Sequence, residues 1–253
     1  CLLSRGLGDV YKRQVFGIDI MWYGALIGTG FLLAIAISYY RAPKFGIDRD
    51  FILTLTIWII PSALIGARLY YVIFSWDNYS DDLSKILDVR NGGLAVHGGL
   101  ILSFIVGYFL CKKYREGFLN TADLVAPVIA LAQSIGRWGN FFNEEAHGGP
   151  TDLPWAQIID GTGYHPTFLY ESVWCLLLFI FLMYWSDHRR KFNGQIICLY
   201  GILYSAERFL VEGLRTDSLM IGPLRQAQVI SLAIIAVCAA IYFILKKQNK
   251  SLR

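Results

Sequence analysis

The sequence predicts an all-α, polytopic membrane protein with about seven transmembrane helices, its N-terminus outside and its C-terminus in the cytoplasm. Three observations carry that prediction. Of the 253 residues, 55% are hydrophobic and 17% charged, with a mean hydropathy of +0.46, on the apolar side of a soluble domain. Ile20 to Tyr40, Asn91 to Cys111 and Gln226 to Leu245 each lack Asp, Glu, Lys and Arg, and a bilayer-spanning helix needs about 20 such residues. Lys and Arg also alternate in abundance from one connection to the next, as the retention of positive loops in the cytoplasm requires.

The spans follow in order. The first is Ile20 to Tyr40, and the second is Phe51 to Ala67, closed by Arg68, with Pro61 permitting a kink. Asn91 to Cys111 is the third. Leu124 to Gly136, Ser172 to Trp185 and Phe192 to Ala206 are shorter uncharged runs bounded by ionisable residues, and Gln226 to Leu245 is the seventh. The first, third and fifth connections and the tail carry thirteen cations: Arg41, Lys44 and Arg49; Lys112, Lys113 and Arg115; Arg189, Arg190 and Lys191; Lys246, Lys247, Lys250 and Arg253. The opposite connections carry Lys85, Arg90, Arg137, Arg215 and Arg225, among most of the loop acids. Residues 15–246 are therefore expected to form one membrane-embedded domain, with 247–253 a basic cytoplasmic tail. Cys1 to Gln14 breaks the charge pattern, lacks the apolar core and cleavage site of a signal peptide, and is expected to be a non-native leader resembling translated adaptor sequence.

The net charge of +4 is too small to imply a nucleic-acid partner, and seven Trp with fifteen Tyr suit a membrane interface. The five cysteines show no CxxC pairing and read as buried apolar thiols rather than a disulfide or zinc framework. No spacing such as HExxH appears, so no metal is implied. No internal sequence period or inverted repeat is found, which disfavours a repeat-built transporter.

Ionisable residues in or against the spans are the functional candidates, because a charge near the bilayer centre costs roughly 2.5 to 3.5 kcal/mol. Arg68 is either a substrate-binding group or a side chain snorkelling to the outer interface. His97, between Val96 and Gly98-Gly99, stands toward the outer end of its span, and a neutral imidazole there could act as a general base. The densest cluster runs from Gly136 through Arg137, Asn140, Asn143, Glu144 and Glu145 to Gly148. If helical, Arg137, Asn140 and Glu144 share one face, with Gly136 and Gly139 leaving room for a bulky ligand and Arg137 offering a fork suited to phosphate or carboxylate. Its structural alternative is a salt-bridged corner. His165-Pro166 opens the fifth span and places Glu171 one turn inside, where capping and function weigh about equally. Tyr204, Arg208, Glu212 and Arg215 recur at helical spacing as one stripe, either a self-satisfied ladder or a site for an anionic head group.

His97-Gly98-Gly99-Leu100, the Gly-Arg-x-Gly-Asn-Phe run at 136–141 with Asn143, Glu145 and Gly148, the His-Pro-Thr-x-Leu-Tyr-Glu run at 165–171, and Arg-Phe-x-x-Glu-x-x-Arg at 208–215 together resemble the bacterial prolipoprotein diacylglyceryl transferase family. The resemblance covers roughly Gly17 to Leu245. It implies a seven-span inner-membrane enzyme with its site toward the outer, periplasmic half. Such an enzyme moves diacylglyceryl from phosphatidylglycerol to the lipobox Cys thiol of a preprolipoprotein and releases glycerol phosphate, without a cofactor. Arg137 matches the family's phosphatidylglycerol-binding arginine, Arg208 its other essential arginine and His97 its essential histidine. Tyr23, Asn140, Glu145, Gly148 and Tyr204 match further important positions. Catalytic roles are thus expected for His97, Arg208, Tyr204 and Glu145, with Glu145 and Tyr204 orienting the arginines. Substrate binding is expected of Arg137, Asn140, Tyr23, Asn143, Gly148, His165 and Arg68. Thr216-Asp217 departs from the family's usual Pro-Asp. A transporter or flippase of an anionic lipid is the alternative, disfavoured because the ionisable residues crowd toward one side; a purely structural subunit would make four clustered motifs accidental.

Overall fold

The computed structural model describes residues 12–15, 18–80, 82–88, 92–215 and 220–251. Seven long helices appear among them, at the seven places the uncharged runs predict. These are α1 (Trp22–Arg41), α2 (Arg49–Phe74), α3 (Val96–Tyr114), α4 (Phe118–Phe142), α5 (Thr167–His188), α6 (Gln195–Glu212) and α7 (Gln226–Ser251). All but α6 are long and apolar enough to cross a membrane by length and composition. The chain is an all-α, multi-pass membrane protein. The exception has a plain cause: α6 is 18 residues long and carries Glu207, Arg208 and Glu212 in its last turns. Most of the leader expected over 1–14 lies outside the described residues, as do Arg90, Asn91, Thr216, Asp217 and Arg253. Lys12–Val15 pairs antiparallel with Ile18–Met21 as β1 and β2.

The chain divides into two compact units, 38–121 and 1–37 with 122–253. In the first, α2 and α3 pack against each other more extensively than any other pair of elements. Asp48 starts α2 by accepting from the Asp50 backbone N–H at 3.0 Å, which satisfies one of the orphan donors at the helix N-terminus. Pro61 lies inside an unbroken helix. Gly66 and Gly98 lie backbone against backbone: a Cβ on either would overlap the other's carbonyl. Between membrane helices, where lipid removes the hydrophobic drive, small residues permit such close packing.

In the second unit α5, α6 and α7 pack in sequence order, around Ala126, Ala130, Leu178, Leu182 and Ile196. Two buried polar nodes fix the helices. Ser134 donates to the Ser172 carbonyl at 2.8 Å and Ser172 returns a bond to the Ser134 carbonyl at 2.9 Å, while the Trp138 indole donates to the Ser172 hydroxyl. Asp123 on α4, fully buried, accepts from the backbone N–H groups of Gly194, Ile196 and Ile197 at 2.8, 2.9 and 2.9 Å, and from Arg190 Nε at 2.9 Å. It caps α6 from another helix, because Gly194, at the cap position, has no side chain to do so. Cys111, Cys175, Cys198 and Cys238 are free thiols.

Candidate active site

Three helices of the larger unit bring charges to one place. Arg137 comes from the last turns of α4, Glu171 from the first turns of α5, and Tyr204, Arg208 and Glu212 from the last turns of α6. Glu171 is 2% exposed and bridges both arginines. One carboxylate oxygen meets Arg137 Nε, and the other accepts from the Arg208 guanidinium at 2.5 Å. Arg208 also pairs with Glu212 at 2.6 Å, one turn along the same helix. The result is a chain of four charges, Arg137, Glu171, Arg208 and Glu212, in which cation and anion alternate. Burying any one alone would be costly, and mutual pairing removes that cost. Arg137 engages Glu171 through Nε; the Tyr204 hydroxyl is a hydrogen-bonding neighbour of its guanidinium, and the Tyr204 ring stacks on Tyr200 with centroids 5.6 Å apart.

The sequence fits Glu171 as a helix-capping residue as readily as a functional one. The structure assigns it to the arginines. The converse correction applies to Glu145, expected to orient those arginines. Its side chain is exposed and accepts from the Asn143 amide at 3.2 Å, while its backbone N–H donates to the Asn140 carbonyl at 3.1 Å. Asn140, Asn143 and Glu145 thus form one turn at the end of α4. Glu144 does not share a helical face with Arg137 and Asn140, because α4 ends at Phe142 and Glu144 has a φ of 52°. Arg215 likewise lies past the end of α6, in a bridge with Gly148, so the stripe is Tyr204, Arg208 and Glu212 only.

Gly148 and His165 are stitched into a floor beside α6. The Gly148 N–H donates to the His165 carbonyl at 2.8 Å, the His165 N–H to the Gly149 carbonyl at 3.0 Å, and the Gly149 N–H to the Leu214 carbonyl at 2.9 Å. A Cβ on Gly148 would lie 2.7 Å from the His165 Cβ, which explains glycine there. The His165 ring is 3.4 Å from the Tyr170 hydroxyl, which also accepts from the Trp155 indole at 3.0 Å. Between these strands of backbone, Gln157–Ile159 and Thr162–Tyr164 pair as a short hairpin, β3 and β4. The space beside Gly139 is not left for a ligand: the Tyr23 ring fills it, and a Cβ would overlap that ring. Beside Gly136 the space is open.

In the smaller unit, His97 is the second residue of α3 and is exposed, its ring centroid 6.2 Å from that of Tyr70. Arg68, expected either to bind substrate or to snorkel, is 6% exposed and lies well inside α2. It donates to the carbonyls of Lys85, Ile86, Asp88, Gly92 and Gly93 at 2.6 to 2.9 Å, and covers the Tyr79 ring at 5.2 Å. Five acceptors match the five N–H groups of a guanidinium, so this arginine ties down the connection that leads into α3.

The prolipoprotein diacylglyceryl transferase family matches residues 13–244. The chain belongs to that family. A relative from Finegoldia magna, named phosphatidylglycerol–prolipoprotein diacylglyceryl transferase, is 52% identical over 240 residues, which cover 95% of this chain and 97% of the relative. A relative of the same name from Clostridioides difficile is 51% identical over 245 residues, 96% of this chain and 98% of its own. A third, from Clostridium novyi, is 47% identical over 249 residues, 94% and 95% of the two chains. Family membership therefore extends over every helix that carries the charged cluster, and the cluster holds the arginines of the Gly-Arg-x-Gly-Asn-Phe and Arg-Phe-x-x-Glu-x-x-Arg runs, Arg137 and Arg208.

Proposed function

We propose that this chain transfers the diacylglyceryl group of phosphatidylglycerol to the lipobox cysteine thiol of a preprolipoprotein, in the bacterial plasma membrane with its site toward the outer half. One observation carries the mechanism: two arginines from different helices are fixed on a single buried carboxylate. The reaction needs that arrangement. A thiolate attacks the glyceryl carbon that bears the phosphate ester, the S–C bond forms as the C–O bond breaks, and glycerol phosphate leaves with one more negative charge than the diester carried. Donors held in place before the reaction stabilise such a developing charge without reorganising. Arg137 and Arg208 act as that clamp; Glu171 and Glu212 set their positions, and Tyr204 supports Arg137.

The thiol proton is taken by His97, directly or through water, since the thiolate is the nucleophile and neutral imidazole is suited to accept a proton near neutral pH. Tyr23, Asn140, Asn143, Gly148 and His165 shape the lipid-binding part of the site. Glu145 contributes through the turn at the end of α4, and Arg68 through the connection before His97.

The test is a reconstitution in detergent with phosphatidylglycerol and a synthetic lipobox peptide, with a Cys→Ser peptide as control. A diacylglyceryl mass gain on the Cys peptide alone, with stoichiometric glycerol phosphate, is the expected result. A folded protein that binds phosphatidylglycerol and yields no product would overturn the assignment and point to lipid translocation.

A further inference from the structure

At the other end of α5 and α6 from the paired arginines lies a second, separate feature. Trp185 is 14 residues along α5 from Glu171, about 21 Å at the helical rise, and it lines a cavity of about 320 Å³. The cavity is walled by the last turn of α5, the link to α6 and the last turns of α7. Its cations are Arg189, Lys191 and Lys246, and its lining contains no Asp or Glu. Among the described residues no carboxylate pairs with any of the three. Lys246 lies over the face of Tyr242, 6.0 Å from its centroid.

The neutral polar groups of the wall are, by contrast, already paired with one another. Gln195 accepts from the Lys191 N–H at 2.7 Å and donates to the Tyr242 hydroxyl at 3.4 Å, and Asn249 donates to the Lys191 carbonyl at 2.8 Å. The indole N–H of Trp185 is buried and has no acceptor among the described residues. The wall is therefore rich in donors and positive charge and short of acceptors and negative charge. The N-terminus of α6 does not account for this, because Asp123 occupies its N–H groups.

We infer that this cavity binds the phosphate-bearing head group of an anionic phospholipid, in the leaflet opposite to the transferase site. Positive charge on cytoplasmic connections would by itself scatter cations in water; here three converge on one concavity. Its volume is at the lower end of ligand pockets, the size of a head group. Trp185, Phe192 and Tyr242 place aromatic rings at the ends of apolar helices, the level at which head groups lie. Basic pockets between membrane helices bind anionic head groups in this manner. The exposed apolar residues Phe181 on α5 and Phe243 and Ile244 on α7 offer the adjoining surface for acyl chains.

The experiment is native mass spectrometry of the full chain, titrated with phosphatidic acid, with phosphatidylcholine and inorganic phosphate in parallel. The expected result is one phosphatidic acid retained by the wild type and bound on the order of a hundredfold more weakly by Arg189→Ala/Lys191→Ala/Lys246→Ala, with phosphatidylcholine insensitive to the substitutions. Lys191→Gln alone, which leaves the walls unchanged, should weaken it about fivefold and guards against a misfolded triple variant. Equal retention by wild type and both variants, or equal retention of the two lipids, would overturn the inference. Displacement by inorganic phosphate at millimolar concentration would also overturn it, because the ligand would then be free phosphate rather than a lipid.

Discussion

Replacing Glu171 by Gln should separate catalysis from lipid binding. The substitution preserves volume in a side chain that is 2% exposed but removes the one negative charge shared by Arg137 and Arg208. The amide oxygen can accept from one arginine; the amide NH2 then faces the donors of the other. Arg208 retains Glu212 at 2.6 Å, so Arg137 is the partner that loses its anchor. Breaking a buried pair costs about 3 to 5 kcal/mol; the arginines here are about one-fifth exposed, which places the expected loss of stability near the lower figure, about 3 kcal/mol. Catalysis should fall further than binding. A misplaced donor to a developing anion costs about 100-fold to 1,000-fold in turnover, whereas the cluster becomes more positive and retains its attraction for the lipid phosphate. Purified wild type and variant would be compared for peptide lipidation at saturating phosphatidylglycerol, for the phosphatidylglycerol concentration at half-maximal rate, and for the melting midpoint. A fall in kcat of about 100-fold with KM unchanged or lower, and a lower midpoint, is expected. Wild-type kcat would refute the reasoning that Glu171 positions the clamp.

Further outcomes follow from single contacts. Gly139→Ala should lower stability by about 1 to 3 kcal/mol through overlap with the Tyr23 ring. The double variant with Tyr23→Ala should recover the melting midpoint without recovering activity; no recovery would place the clash elsewhere. Gly98→Ala meets the Gly66 carbonyl and the Tyr70 Cβ, neither of them the far end of a flexible side chain, so the α2–α3 contact cannot relax around it, and a lower midpoint with reduced activity is expected; an unchanged midpoint would show that the helices separate freely. Arg68→Lys leaves at most three donors for five carbonyls. Limited proteolysis should then cut faster between Lys85 and Gly93, and an unchanged rate would mean that the arginine does not hold that connection.

The helices were legible because their cause is local: long uncharged runs, with cations at alternate connections, leave few places for a span to begin or end. Even α6, the most charged for its length, stands where Phe192 to Ala206 predicts it. Helix ends were less legible. Extending helical spacing through Glu144 and Arg215 put both on faces that the backbone leaves before reaching them, at Phe142 and Glu212. The arginines were found by motif, but their shared carboxylate was not, since Glu171 lies 34 and 37 residues from them and a helix N-terminus offers any Glu a second reason to be there. A signal was present: a Glu followed by an uncharged run to Trp185 must find a cation on another helix. Arg68 and Asp123 repeat the lesson. Each is a charge at or inside an apolar run, and each is satisfied by backbone groups distant in sequence, which no local pattern records.

Asp123 also shows how a residue far from the clamp can govern it. The α6 helix carries Arg208 12 residues beyond Ile196, about 18 Å along its axis, and Asp123 grips the helix start through three backbone N–H groups. A rigid helix held at its start is fixed in rotation as well as in height. The tip of a side chain about 6 Å from the axis moves about 1 Å for a rotation of some ten degrees, and a misplacement of that size costs on the order of 100-fold in rate. Asp123→Asn keeps an oxygen for Ile196 and Ile197 but turns an NH2 toward the Gly194 N–H and Arg190. Both stability and kcat should therefore fall, although no atom of the clamp is changed, and the pairing of Arg208 with Glu212 on the same helix should keep the lipid-binding charge in place. If the Asn variant melts earlier yet turns over at the wild-type rate at low temperature, the cap holds only the fold. A fall in kcat with KM preserved would mean that the position of Arg208 is set from the opposite end of its own helix.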